Sequence, residues 1–522
     1  MPRLATLSMI AFAGLLAACK GSDDDGGSTP PAASGWTAGV FQPAANFDAE
    51  CASPRLGIDP ETQMPYLDVQ GSTVDENNWL RSWSNDLYLW YNEIVDRDPG
   101  LYSTSAYFDL LRTEQTTASG APKDKFHFTY TTDEWRALSQ SGVVAGYGVE
   151  WVILAGAPPR NAVVAYIEPN SPAAAASIAR GARLLQVDGV DFVNGPTQAN
   201  VDTIVAGLYP ENANENHTFQ IQDLSGTIRT VNLTSTNVTL TPVQNVRTIA
   251  TQTGPVGYLL FNDHILTAEQ GLIDAITTLD NANVVDLVLD IRYNGGGYLA
   301  IASELAYMIA GPAQIQGRIF EDIRFNAKHP STNPVTGQPL QPFPFADTTV
   351  FANPVQLLPT LGLQRVFVLT GPNTCSASES IINSLRGIGV EVVQIGSKTC
   401  GKPYGFYPED NCGTTYFTIQ FQGVNALGFG DYADGFSAQN SVGTQTTPIP
   451  GCSVADDFTH ALGDANESRF AAALAYRTGG QASCPAPSGL GGPGMSKPSN
   501  ALAAAEGEIR KSPLRENRIL LR

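Results

Sequence analysis

The chain is short of charge, and shortest of positive charge. Only 15% of its 522 residues are charged, and 30 Lys and Arg stand against 50 Asp and Glu, for a net charge of −20. A nucleic-acid partner needs a basic surface to replace the counterions on its phosphates, so that class of function is excluded. Histidine is scarce: the five are His127, His217, His264, His329 and His460. Neither they nor the cysteines fall at metal-ligand spacing, so no metal and no cofactor is expected. No internal repeat stands out. The apolar run at the start, Leu4 to Leu16, is too short to span a bilayer as a helix. What remains is a chain that is 43% hydrophobic, globular in bulk and long enough for two to four domains.

Residues 1–19 read as an export signal. Arg3 gives a short basic start, and Leu16-Ala17-Ala18-Cys19 resembles a bacterial lipobox. In that reading Cys19 becomes a lipidated first residue that anchors the chain to a membrane on the periplasmic side of the envelope. Lys20 after it is compatible with sorting to the outer membrane, and a plain secretory signal cut near Ala18 is the alternative. Residues 20–45 are rich in Gly, Ser, Asp, Pro and Ala and read as a flexible tether. Beyond Cys19, six cysteines remain in an exported context, which favours disulfides, with about 15 connectivities open.

The stretch that organises the rest runs from Thr370 to Phe406. Val366 to Leu369 is an apolar run that predicts a buried strand, and Asn373 to Ser378 is a turn of small residues. A helical pattern follows, with Ile381, Ile382 and Leu385 on one face, ending at Gly387 and Gly389. A second apolar strand, Val390 to Ile395, leads to the turn Gly401-Lys402. A serine at a strand-to-helix turn presents its hydroxyl near backbone N–H groups that favour negative charge, the setting for a nucleophile beside an oxyanion hole. The same residues also fit an ordinary polar turn.

Thr374-Cys375-Ser376-Ala377-Ser378-Glu379, followed by Thr399-Cys400-Gly401-Lys402, resembles the T-x-S-A-S-E and T-x-G-K pair of the C-terminal processing (tail-specific) serine proteases. Upstream, Asp286 to Gly297 resembles that family's L-D-L-R-x-N-x-G-G strand and glycine loop. The resemblance covers roughly Asn78 to Arg477 and belongs to the G-K-P-x-G subgroup through Gly401-Lys402-Pro403-Tyr404-Gly405. It implies Ser376 as nucleophile, Lys402 as base, and an oxyanion hole from the N–H of Ala377 with that of Gly296 or Gly297. A lysine serves as a base only where burial or a nearby cation lowers its pKa. Ser378 is the rival serine and is expected on the helix; Lys398 and His264 are the rival bases. Many relatives carry a glutamine four residues past the lysine, where this chain has Phe406, so the third catalytic member stays unassigned. If Ser376 and Lys402 meet, Cys375 and Cys400 are neighbours; a Cys375–Cys400 bridge is expected, with Cys412–Cys452 as a second.

The resemblance further implies an α/β protease core, a crotonase/ClpP-like mixed sheet with flanking helices, at 241–482. A helical N-terminal domain at 46–140 carries an aromatic stripe through Trp79, Trp83 and Trp90, and a PDZ-like domain is inserted at 141–240. In the PDZ-like segment, Gly146-Tyr147-Gly148-Val149 resembles the loop whose N–H groups hold a peptide carboxylate. Residues 312–351 are polar and Pro-rich and are expected as a surface insertion near the site. Residues 483–522 are expected as a disordered tail with a short helix from Asn500 to Arg510. The implied function is a periplasmic serine endopeptidase acting on unfolded or exported proteins with apolar C-termini. The same sequence admits a catalytically inactive peptide-binding lipoprotein, motivated by Phe406, and an acyl-transfer enzyme on a related core.

Overall fold

The computed structural model describes residues 36–443, 446–487 and 518–519. At its centre is a six-stranded sheet in the order Val243–Ile249, Val256–Phe261, Asp286–Asp290, Arg365–Thr370, Glu391–Gly396, Gly451–Ser453. The first pair is antiparallel and the remaining neighbours are parallel, so the sheet is mixed, as expected. Val256–Phe261 and Asp286–Asp290 are buried at every position. That is why they read as unbroken apolar runs rather than as alternating ones. Leu259, Leu287, Leu289, Val366 and Val368 pack on one face under the helices Ala268–Asn281, Leu299–Ala310 and Ala377–Gly387. Tyr258, Val288, Phe367 and Val393 face the other side, against the helix Ser468–Gly479 through Phe470, Ala473 and Tyr476.

A second sheet runs Ile228–Thr234, Asn216–Gln222, Arg183–Val187, Asn161–Ile167, Val149–Ala155, with helices Pro172–Ala175 and Gln198–Leu208. It has its own core, which includes Trp151, Val164, Leu184, Phe192, Ile204 and Phe219. The helices Thr73–Leu87, Thr104–Leu110 and Thr132–Ser141 precede it. They share packing with later segments: Trp79 and Trp83 stack at 5.2 Å, and Trp79 meets Tyr416 at 5.5 Å. The strand Phe128–Thr131 pairs with Thr414–Phe417. The aromatic stripe is therefore packed against the body of the protein.

Three expectations are corrected. Cys412 bonds Cys51, and Cys452 bonds Cys484, in place of a Cys412–Cys452 bridge. Cys452 lies in the edge strand of the central sheet, where the turn after the helix Ser468–Gly479 returns to it, while Cys412 sits in the hairpin that meets the N-terminal segment. Residues 312–351 are not a purely surface excursion, because Phe320, Glu321, Ile323 and Phe345 are buried. Asp322–Arg324 also pairs with Phe421–Val424. The segment from 483 on, expected as disordered, is structured where it is described: Cys484 bonds Cys452, and Arg518–Ile519 forms a short strand. Cys19, the export signal and the expected helix at Asn500 to Arg510 lie outside the described residues. Among the described residues no helix is long and apolar enough to cross a membrane.

Candidate active site

Four consecutive strands of the sheet, parallel to one another, end at the same edge, and each is followed by one piece of the site. Val256–Phe261 leads to His264, Asp286–Asp290 to the glycine loop, Arg365–Thr370 to Ser376, and Glu391–Gly396 to Lys402. Clefts outside the carboxyl ends of parallel strands are where open α/β sheets place their ligands.

Ser376 caps the helix Ala377–Gly387 with φ 59° and ψ −114°. A non-glycine residue held there costs about 1–3 kcal/mol, and such strain persists only where the surroundings enforce it. The side chain is fully buried, yet among the described residues its hydroxyl has no hydrogen-bond partner. A buried orphan hydroxyl is costly and calls for an explanation. Ser378 lies in the first turn of the helix, on the helix as expected, and its hydroxyl donates to the Asn294 carbonyl at 3.0 Å. That bond ties the serine helix to the glycine loop, as does the Cys375 N–H on the same oxygen at 3.2 Å.

Lys402 is fully buried, and its amine lies 4.6 Å from the ring centres of both Phe126 and Phe406. Phe406 thus forms an aromatic wall of the lysine pocket. Lys398 is half-buried in the same turn, with no such enclosure among the contacts of the described residues. The Cys375–Cys400 bridge is present and joins the residue before Ser376 to the turn before Lys402.

Sequence reasoning gave Glu379 no role beyond its place in the motif. It is fully buried, and its Oε2 accepts the N–H of Ser376 at 3.0 Å and of Lys402 at 2.8 Å. Its Oε1 accepts the Gly401 N–H at 2.9 Å and the Thr399 hydroxyl. Burial pushes this carboxyl above its ordinary value, and the four donors pull against that rise. A glutamate at the third position of a helix is a common capping signature, the local signal by which it could have been found. Cys375, Glu379 and Cys400 cluster tightly enough to suggest a metal site, but both sulfurs are spent in the disulfide.

The glycine loop is held from both sides. Asn294 donates to the Phe261 carbonyl at 3.0 Å, and its side-chain oxygen accepts the Gly296 N–H at 2.9 Å and His264 Nδ1 at 2.9 Å. That assignment places the imidazole proton on Nδ1 and leaves Nε2 unpartnered. Burial lowers His264 to about 3, so the ring is neutral. Since the Gly296 N–H is engaged, Gly297 is the loop glycine left to serve a ligand. Gly297 has φ 137°, and a Cβ there would lie 2.3 Å from the His264 carbonyl oxygen, so no other residue fits.

Below the loop, the fully buried Arg292 bonds Asp290 at 2.9 Å, Asp456 at 2.7 Å and Glu467 at 2.8 Å. Burial would raise the Asp456 carboxyl, but Arg469, Arg292 and Arg180 outweigh it and hold it far below its usual range. Arg180, from the second sheet's unit, reaches the Tyr293 hydroxyl at 2.7 Å and Asp456 at 2.7 Å. Removing one member would leave a buried charge uncompensated, which costs about 3–5 kcal/mol. In that unit Gly146 ends a strand and Val149 begins the next, and Tyr147 turns its ring into the core against Phe219. Gly148, at φ 74°, brings the backbone against Ser171, where a Cβ would lie 2.3 Å from the serine's.

A strained, buried serine at a helix start, its backbone tied through Glu379 to that of an enclosed lysine, is an arrangement that suits a nucleophile and a base. Residues 255–405 match the model of peptidase family S41. The chain is 25% identical over 278 residues to a carboxyl-terminal-processing protease of Picosynechococcus, covering 52% of this chain and 58% of that protein. It is 30% identical over 192 residues to a chloroplastic C-terminal processing peptidase of Tetradesmus obliquus, covering 32% and 38%. The chain thus spans less than two thirds of the curated relatives it matches. In fold it is similar to the crystal structure of a putative S41 protease from Bacteroides fragilis, with a TM-score of 0.56 and 23% identity over 77% of this chain and 97% of that one. The match to the S41 family model thus falls on the central sheet and its site loops, and the fold is shared with the Bacteroides fragilis protein.

Proposed function

We propose that the protein is a serine endopeptidase of the C-terminal processing type, working through a Ser376/Lys402 dyad. The observation that carries the reading is the unpartnered, buried hydroxyl of Ser376 on a strained turn, with its backbone fastened to that of Lys402 through Glu379. In the reaction the neutral Lys402 amine takes the Ser376 proton as Oγ bonds the scissile carbonyl carbon. The carbonyl oxygen, now negative, accepts the N–H groups of Ala377 and Gly297. The C–N bond breaks as the lysine returns the proton to the leaving amine, and water then hydrolyses the acyl-enzyme with the lysine again as base. Loss of water around the lysine disfavours its charged form, and the faces of Phe126 and Phe406 oppose that effect.

The second sheet's unit is read as PDZ-like. Among the described residues its strand Val149–Ala155 is the last of its sheet, next to Asn161–Ile167, and is read as the place where a peptide strand would add beside the Gly146–Val149 loop. Substrates are unfolded or exported proteins with apolar C-terminal ends, and the chain is held by lipidated Cys19 on the periplasmic side of the envelope, at the outer membrane.

The test follows cleavage of an unfolded protein with an apolar C-terminus by wild type, Ser376→Ala and Lys402→Ala. Wild type is expected to cut, and each substitution to lower the rate at least about a thousandfold. A wild type that binds the protein without cutting it favours the non-catalytic peptide-binding reading, motivated by Phe406. Activity retained in Lys402→Ala places the base elsewhere, with His264 the next residue to change. Cys19→Ala is expected to release the protein from membranes, and its retention there would remove the anchor.

A further inference from the structure

One contact of the glycine loop has no part in that mechanism. Gly297–Tyr298 forms a short strand whose partner is Arg518–Ile519, paired in parallel with Gly297 opposite Arg518 and Tyr298 opposite Ile519. The same two residues lie against Tyr404–Gly405, the strand just past Lys402. They therefore sit between the glycine loop and the lysine turn. Tyr298 gives its N–H to the His264 carbonyl at 2.8 Å. Along an extended strand successive N–H groups point to opposite sides, so the N–H of Gly297 faces the side on which Arg518–Ile519 runs. That is the N–H assigned above to the substrate's carbonyl oxygen.

We propose that the segment bearing Arg518–Ile519 is a built-in occupant of the substrate groove, lying where an extended substrate peptide would lie and competing with it from within the same chain. The proposal rests on the placement of that groove beside Ser376. Strand addition uses backbone hydrogen bonds, which any extended peptide supplies, and the local sequence Arg518-Ile519-Leu520-Leu521 has the apolar character expected of substrates. A competitor on the same chain acts at an effective concentration on the order of millimolar, so a short pairing of weak intrinsic affinity is enough to hold the groove.

The test uses the full chain carrying Ser376→Ala, which prevents turnover, with and without Arg518→Pro and Ile519→Pro together. Proline removes the backbone donors of strand pairing. The probe is a fluorescein-labelled peptide of residues 514–522, followed by fluorescence anisotropy. The proline chain is expected to bind it roughly tenfold more tightly, because the competing state has been removed. A chain with Arg518→Gly and Ile519→Gly should shift the same way by less. Equal affinity in all chains, or no binding in any, overturns the proposal. Because anisotropy needs no turnover, a protein that cuts nothing yet binds more tightly after proline substitution keeps the proposal and removes the peptidase reading instead.

Discussion

Ser376 and Lys402 donate their backbone N–H groups to the same oxygen, Oε2 of Glu379, at 3.0 and 2.8 Å. The distance between the proposed nucleophile and base is thereby constrained at the main chain, before either side chain chooses a rotamer. Glu379→Gln keeps the shape but puts an amide N–H₂ where an acceptor is needed. The expected loss is about 1–3 kcal/mol of positioning, read as a fall in kcat of roughly ten- to a hundredfold with KM little changed. A KM effect without a kcat effect would contradict a positioning role.

The aromatic wall of the lysine pocket gives a second prediction. Phe406→Leu keeps an apolar side chain but removes a π face 4.6 Å from the amine, which favours its charged form. Less stabilisation of the ammonium makes the neutral base available in more acidic solution. The acid limb of the pH–rate profile should therefore move to lower pH; an unmoved or raised limb refutes the assignment. Phe406→Gln is expected to lower thermal stability as well, since it buries an amide in a site built for a ring.

A third prediction concerns alkaline stability. Glu304 is buried against Glu269, and burial, then the hydrogen bond and charge of Glu269, push its carboxyl up to about 9. Glu269 itself accepts the N–H groups of Val350, Phe351 and Ala352. Between the ordinary carboxyl value and about 9, the folded chain holds a proton that the unfolded chain has lost. Stability from this group is therefore complete at low pH and falls as pH rises through that window, by at most about 1.4 kcal/mol per pH unit. Thermal melts from pH 6 to pH 9 should show the decline, and Glu304→Gln should flatten it.

His264 has the opposite sign. Its ring is held at about 3 when folded, against an ordinary value of 6.5, so the unfolded chain binds the extra proton between the two. Stability should fall as pH drops below 6.5 towards 3. In His264→Gln that part of the acid loss should disappear, and an unchanged acid profile in the variant would show that the ring is not held neutral.

The Cys375–Cys400 bridge closes a loop of 25 residues. Replacing both cysteines by serine is expected to cost roughly 3 kcal/mol through the unfolded chain and to lower activity by loosening the turn before Lys402. Non-reducing peptide mapping should recover Cys51–Cys412, Cys375–Cys400 and Cys452–Cys484; free thiols at 375 and 400 would remove the argument.

The legible parts of this chain were those with a local signature. The strand Arg365–Thr370 contains the expected Val366 to Leu369, and Glu391–Gly396 lies one residue from the expected Val390 to Ile395, because apolar runs and glycine stops are local signals. Cys375–Cys400 followed from two motifs that had to meet. Cys51–Cys412, separated by 361 residues, leaves no spacing to read. Three of the four bonds of Glu379 come from backbone N–H groups, which every residue has, so those partners are invisible in composition. Phe320, Ile323 and Phe345 were masked by the prolines and polar residues around them, and Tyr147 sat in a loop pattern that says nothing of where its ring points.

The four strands that end beside the site belong to four separate stretches of chain, and each brings one fragment that is inert by itself. The site therefore behaves as a coincidence device: it exists only when every long-range pairing from Val256 to Gly396 is in place at once. A chain with a single one of these strands out of register holds all the groups of the site and does not bring them together. Completion of the fold is itself the step that assembles the site.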